Sequence, residues 1–154
     1  NGKAEVTVTE TTLQGNGKNA LYVKVDDLID LLINGGQIAN NGSNQLDLDR
    51  TPNTSVEIKG TANDDTLVGS NVNDSFTGNG GSDTFVAEVN GGADTVTDFD
   101  RANNRIDVSA LGITALGQMT FTGEVVDFNS DNGEQFTLSG VNTLLLTECN
   151  FIFG

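Results

Sequence analysis

The chain has 154 residues, with seven Lys and Arg against 22 Asp and Glu and no His, a formal net charge of −15. That balance repels nucleic acid and anionic membranes, and the missing histidine removes Ser-His and Cys-His catalysis. A lone Cys149 excludes an internal disulfide and a cysteine-based zinc site, and no apolar run approaches membrane-spanning length. Nineteen Gly beside one Pro indicate many tight turns within one domain, or two small ones sharing a core. No signal peptide opens the chain and Asn1 begins mid-pattern, so the sequence is expected to be a fragment of a longer protein.

The first stretch, 1–59, repeats itself. Val6 falls on Leu31, Val8 on Ile33, Leu13 on Ile38, Leu21 on Leu46 and Val23 on Leu48, a constant spacing of 25 residues. Asn16, Gly17 and Asn19 match Asn41, Gly42 and Asn44, and one more step reaches Val56 and Ile58. Apolar and polar residues alternate as in strands, and Asn-Gly corners supply left-handed backbone. A coil of this size, with three short strands and two or three corners, predicts the terminal rungs of a right-handed parallel β-helix; an antiparallel sandwich is the alternative. Residues 26–30 are expected to project as a loop. Asp47, Asp49, Arg50 and Tyr22 form either a solvated polar face or a patch acting on uronic-acid polymers. With barely three rungs, the chain itself is not expected to be catalytic.

The second stretch, 60–112, changes period. Gly60–Val68, Gly69–Thr77 and Gly78–Val86 are three consecutive nonapeptides of the form G-x-x-x-x-D-x-U-x, with U apolar, and a degenerate fourth copy covers 89–97. Six residues turn and three extend, so two copies close one turn and copies n and n+2 stack. Asp65 is thereby expected near Asp83, and Asp74 near Asp94, while Leu67, Phe76, Phe85 and Val96 fill a core one side chain thick. Stacked carboxylates repel unless a cation lies between them, and Asp with turn carbonyls is an all-oxygen set that suits Ca²⁺.

These nonapeptides resemble the RTX repeat, GGxGxDxUx, whose family fold is a Ca²⁺-binding parallel β-roll. The resemblance implies about two to four Ca²⁺ ions. Its ligand set here would be Asp65 and Asp83 with Gly60, Ala62, Gly78 and Gly80, then Asp74 and Asp94 with Gly69, Asn71 and Gly91. The second glycine is absent, replaced by Thr61, Ser70 and Asn79. Gly81 and Gly92 suit the fourth position, Asn63 tolerates left-handed backbone, and β-branched Val72 does not. The Asp65/Asp83 pair therefore fits the pattern better than Asp74/Asp94. The run from Asp94 through Asp98, Phe99 and Arg105 to Leu111 is similar to the one that closes RTX rolls of serralysin-type proteases and bacterial mannuronan C5-epimerases. Asp98, Asp100 and Asp107 there would be either ligands of a further cation or turn formers, with Arg105 as an ion-pair partner.

The last stretch, 113–154, reads as a cap of antiparallel strands in MTFTG, EVVDF, EQFTLSG and NFIF, with NSDNGE as a hairpin turn. Its tail is similar to the region that directs RTX proteins through type I secretion. The expected fold is all-β, a parallel β-solenoid with a C-terminal antiparallel cap. The expected function is a Ca²⁺-dependent folding and secretion module of an extracellular polysaccharide-modifying enzyme, with calcium, the type I secretion machinery and an anionic polysaccharide such as alginate as partners. A module of a bacterial adhesin or surface-layer protein, or a carbohydrate-binding module, is the alternative.

Overall fold

The computed structural model describes residues 4–14, 21–24, 29–39, 46–49, 55–60 and 62–154, with side chains from Val56 onward. Its first strands are β1 (Ala4–Gln14), β2 (Leu21–Lys24), β3 (Ile29–Ala39), β4 (Leu46–Asp49), β5 (Ser55–Lys59), β6 (Thr66–Val68) and β7 (Asp74–Thr77). There follow β8 (Thr84–Val86), β9 (Ala93–Val96), β10 (Arg105–Asp107), β11 (Thr120–Thr122), β12 (Val125–Asp127), β13 (Gln135–Leu138) and β14 (Phe151–Ile152). Only short 3₁₀ turns interrupt them, and among the described residues no helix is long and apolar enough to cross a membrane.

From β1 to β10, strands that follow one another in sequence go to different sheets, and the parallel pairs among them join strands two apart. One sheet runs β1-β3-β5-β7-β9-β13-β12-β11, a second β14-β10-β8-β6, and β2 pairs with β4. The 25-residue spacing is the observed register: Val6 lies opposite Leu31, Leu13 opposite Ile38, Leu21 opposite Leu46, and Leu31 opposite Val56. The nonapeptides stack as their length requires, Leu67 on Phe85 and, across the two-residue insertion, Phe76 on Val96. Hydrogen bonding passes without a break from β3 through β5 to β7, so 1–59 and 60–112 share one sheet.

Three expectations are corrected. β1 and β3 each run for 11 residues rather than as short strands. Ile29 and Asp30 open β3 instead of projecting as a loop; Asp26–Leu28 and the Asn-Gly corners lie outside the described residues. The cap is antiparallel only in part. β11, β12 and β13 are antiparallel, β12 and β13 being joined through the 129–134 turn, but β13 pairs in parallel with β9, and β14 in parallel with β10. The reason is edge satisfaction: β10 would otherwise expose its ladder, and the returning tail covers it while burying Phe151.

The core between the sheets is narrow and aromatic. Phe76, Phe85, Val96, Ile106 and Leu138 have no measurable exposure. Phe76 meets Phe85 edge-on at 6.0 Å and Phe136 at 5.9 Å, and Phe136 meets Phe128 at 5.3 Å. Such contacts add about 0.5–1.5 kcal/mol per pair beyond area burial. One cluster thus joins the nonapeptide roll to the cap.

Candidate metal centre

Two rows of acidic loops run along the stack, one on each edge. On the first edge, the 60–65 loop lies against 78–83. Asp65 donates its N–H to Asp83 Oδ1 at 3.0 Å, and Asp83 donates its own to Asn104 Oδ1 at 3.2 Å. Ser82 N–H reaches Asp64 Oδ1 at 2.8 Å. On the second edge, 69–74 lies against 89–94: Asp74 N–H meets Asp94 Oδ1 at 2.8 Å. Both predicted pairs are therefore brought together, and each later carboxylate accepts the backbone amide of the earlier one.

The first-position glycines make room for these carboxylates. A Cβ on Gly69 would sit 2.6 Å from Asp74 Oδ2 and 3.0 Å from the Phe76 ring, and one on Gly60 2.8 Å from Asp65 Oδ2. A Cβ on Gly78 would run into the Asp83 carboxylate. Gly81 (φ 101°) and Gly92 (φ 94°) take the left-handed fourth position, as do Asn79 (φ 68°) and Asn90 (φ 61°) the second. Asn63 and Val72 do not share it, so the last two loops have a conformation the first two lack.

The remaining candidates divide. The Gly60 carbonyl accepts Asn79 Nδ2 at 2.8 Å, Ala62 packs its backbone under Gly80, and Gly91 donates to the Glu88 carbonyl at 3.0 Å. Asn71 Oδ1 is buried without a hydrogen-bond partner. Asp98 accepts the N–H groups of Gly78 and Asn79, both at 2.8 Å, and so belongs to the ladder. Asp100 closes a turn onto Ala102 and Asn103, and Asp107 one onto Ser109. Neither pairs with Arg105 among the described residues.

Electrostatics separates the edges. Burial pushes Asp74 up to about 7 against the pull of hydrogen bonds from Ser70 and Val56, and burial with repulsion from Asp74 pushes Asp94 up to about 8. Asp83 is raised to about 6, by burial first and then by Asp65, Asp98 and Asp64. Residues 56–154 carry fifteen Asp and Glu but only Lys59, Arg101 and Arg105. Lys59 pairs with Glu57 at 3.0 Å and Arg101 caps the Leu145 carbonyl, so neither neutralises the ladder.

The donor set fits a hard cation: paired carboxylates, neutral oxygens, an orphaned amide oxygen, no sulfur or imidazole. Among the described residues no three acidic, histidine or cysteine side chains gather around one point. A bound ion would thus draw on two carboxylates and on carbonyls.

Three contributors escaped the sequence reading. Ser70, buried, gives both its N–H (2.5 Å) and its hydroxyl to Asp74. Asn104 stands where the next aspartate of the first edge would stand, displaced by a three-residue insertion that hides it from a fixed spacing. Glu134, 3% exposed, accepts the Asn90 N–H at 2.6 Å through Oε1, while Oε2 has no partner. Burial raises its pKa, but donors at Ser130, Asn90 and Asn132 outweigh that and hold it below the usual range, although only the Asn90 N–H reaches hydrogen-bond geometry.

No protein-family profile and no curated protein sequence matches the chain. Two solution structures are similar to it, both subunits of a mannuronan C5-epimerase from Azotobacter vinelandii. The R2 subunit shares 21% identity at a TM-score of 0.39, over 99% of this chain and 92% of its own. The R3 subunit shares 20% at 0.44, over 99% and 81%. At these scores the likeness assigns neither ligand nor activity to the chain.

Proposed function

We propose that this chain is a Ca²⁺-dependent folding module, a parallel β-solenoid closed by a cap, in which Asp65/Asp83 and Asp74/Asp94 hold the ions. The supporting observation is the Asp74/Asp94 stack. Two carboxyls, each 4% exposed and linked at 2.8 Å through an amide, face no Lys or Arg among the described residues. A buried carboxylate in that setting either takes up a proton or pairs with a cation. Ca²⁺ bound there would neutralise that pair and supply folding energy that the thin core lacks.

Extracellular Ca²⁺ modules bind at about 10⁻⁴–10⁻³ M, so the chain would stay loose in Ca²⁺-poor cytosol and close outside the cell. With the sequence resemblance of 94–111 to RTX closing runs, this supports a role in type I secretion and in the stability of a secreted polysaccharide-modifying enzyme. Circular dichroism and thermal melts of EDTA-stripped chain, titrated with Ca²⁺ and with Mg²⁺ as control, test it. The reading predicts a Ca²⁺-specific gain of β signal and a rise in Tm. An identical signal and melt in EDTA would overturn it, leaving the carboxylates as acceptors for turn amides.

A further inference from the structure

Three Asn-Gly pairs lie among the residues described with side chains: Asn79-Gly80, Asn90-Gly91 and Asn132-Gly133. In each, a glycine nitrogen unshielded by a Cβ follows a side-chain amide, the arrangement from which asparagine loses ammonia. Sequence makes the three equivalent; the structure does not. Gly91 donates its N–H to the Glu88 carbonyl at 3.0 Å, and Gly133 donates to the Ser130 carbonyl at 3.2 Å. The side chains of Asn132 and Asn90 are tied to each other, Nδ2 to Oδ1, at 3.0 Å. Gly80 N–H has no acceptor among the described residues, and Asn79 Oδ1 has no donor there. Asn79 is exposed, and a Cβ on Gly80 would meet nothing closer than 3.5 Å, whereas one on Gly91 would lie 3.0 Å from the Glu88 carbonyl oxygen. The Gly80 nitrogen is thus free and has room to turn, while the other two are held.

We infer that Asn79 is a modification site, the asparagine that deamidates spontaneously ahead of Asn90 and Asn132 in the folded chain. The Gly80 nitrogen adds to Asn79 Cγ: the N–Cγ bond forms, the Cγ–Nδ2 bond breaks, and Nδ2 leaves as ammonia with the Gly80 proton. Water then opens the cyclic imide at either carbonyl, giving aspartate or isoaspartate, with no oxidant or reductant. The change has a structural consequence, because Asn79 Nδ2 donates to the Gly60 carbonyl at 2.8 Å and ties the first nonapeptide loop to the third. A carboxylate at 79 cannot donate, and it would stand beside Asp98, whose Oδ2 accepts the Asn79 N–H at 2.8 Å. Deamidation therefore cuts the tie and adds like charge to that edge, an irreversible clock built into the stack. This inference stands apart from the Ca²⁺ reading, since it needs the folded loops and no ion.

The test is peptide mapping by mass spectrometry of the Ca²⁺-supplemented chain, aged in mildly alkaline H₂¹⁸O and digested in ordinary water, so that heavy oxygen marks conversion before digestion. Asn79 should convert about tenfold or more faster than Asn90 and Asn132. In urea, where the amides of Gly91 and Gly133 are released, the three rates should converge. Gly80→Ala, whose methyl hinders ring closure but meets only ordinary contacts in the fold, should slow Asn79 about tenfold or more. Asn79→Asp should melt below the parent, having lost the tie to Gly60. Equal rates or a lead by Asn90 or Asn132 in the folded chain, a lead by Asn79 that persists in urea, undiminished conversion in Gly80→Ala, or a parental Tm in Asn79→Asp would overturn the inference. Failure of the Ca²⁺ reading would appear in the EDTA melts and leave this ranking untouched.

Discussion

The two edges of the stack carry the same motif and meet different physics. Along the first edge Asp65 is half-buried and Asp83 only 1% exposed, and the charge on Asp83 is opposed first by burial and then by three neighbouring carboxylates. Along Asp74 and Asp94 both carboxyls lie inside the surface, and burial dominates. The first edge thus buries one carboxyl and adds repulsion from three others, a part that mobile ions can ease; the second buries two carboxyls together, which only a bound cation or a proton can relieve. The sequence pattern favours the first pair, whereas the structure places the stronger demand for a cation on the second.

The largest effect should come from neutralising each pair in turn. In EDTA, Asp74→Asn with Asp94→Asn should stabilise the chain by on the order of a few kcal/mol, because it removes two buried charges. In Ca²⁺ the same variant should be less stable than the parent, having lost its ligands. Asp65→Ala with Asp83→Ala should remove Ca²⁺-dependent folding, and urea denaturation with and without Ca²⁺ checks both variants. Equal responses from the two pairs would erase the distinction between the edges.

Acidity offers a second route. Asp74 and Asp94 titrate at about 7 and about 8 in the folded chain against an ordinary 3.8, so the folded state holds protons that the unfolded state releases. The Ca²⁺-free chain therefore bears its full penalty above about pH 8 and gains stability as pH falls towards 4, by on the order of several kcal/mol. With Ca²⁺ present the slope should weaken or reverse, because protons compete with the ion. Denaturation midpoints across this range, in EDTA and in Ca²⁺, give the sign directly.

Smaller effects should follow from single methyl groups. Gly69→Ala forces a Cβ onto Asp74 and Phe76 and should cost about 1–3 kcal/mol. Gly80→Ala, on the first edge, meets nothing closer than the Ala62 backbone at 3.5 Å and should change stability by less than about 0.5 kcal/mol. Thermal melts of the two variants would show whether crowding follows position in the nonapeptide, since the first-position Gly60 and Gly78 of that edge are as hemmed in as Gly69.

Much of this architecture was legible because period fixes register. A spacing of 25 gave the β1–β3 and β2–β4 pairings residue by residue, and a nine-residue repeat gave the stacking of Leu67 on Phe85. The NSDNGE turn also stands where its composition put it, with Asn129 (φ 52°) and Gly133 (φ 76°) left-handed. What period cannot convey is direction. It brought Asp74 beside Asp94 but not the amide that each carboxylate accepts, nor the depth at which the pair is buried. Nor could it place Glu134, whose position over Asn90 depends on β13 joining β9 across 42 residues of chain. The parallel return of β14 was hidden for the same reason: a two-residue strand has no pattern, and its partner is decided by the open edge of β10.

The most direct test of the central claim is calorimetric titration of Ca²⁺ into EDTA-stripped chain, run beside the Asp65→Asn/Asp83→Asn and Asp74→Asn/Asp94→Asn variants. The account predicts saturable Ca²⁺ binding by the parent and the loss of a different part of it in each variant. Absence of binding by the parent, or parental stoichiometry in both variants, would contradict it.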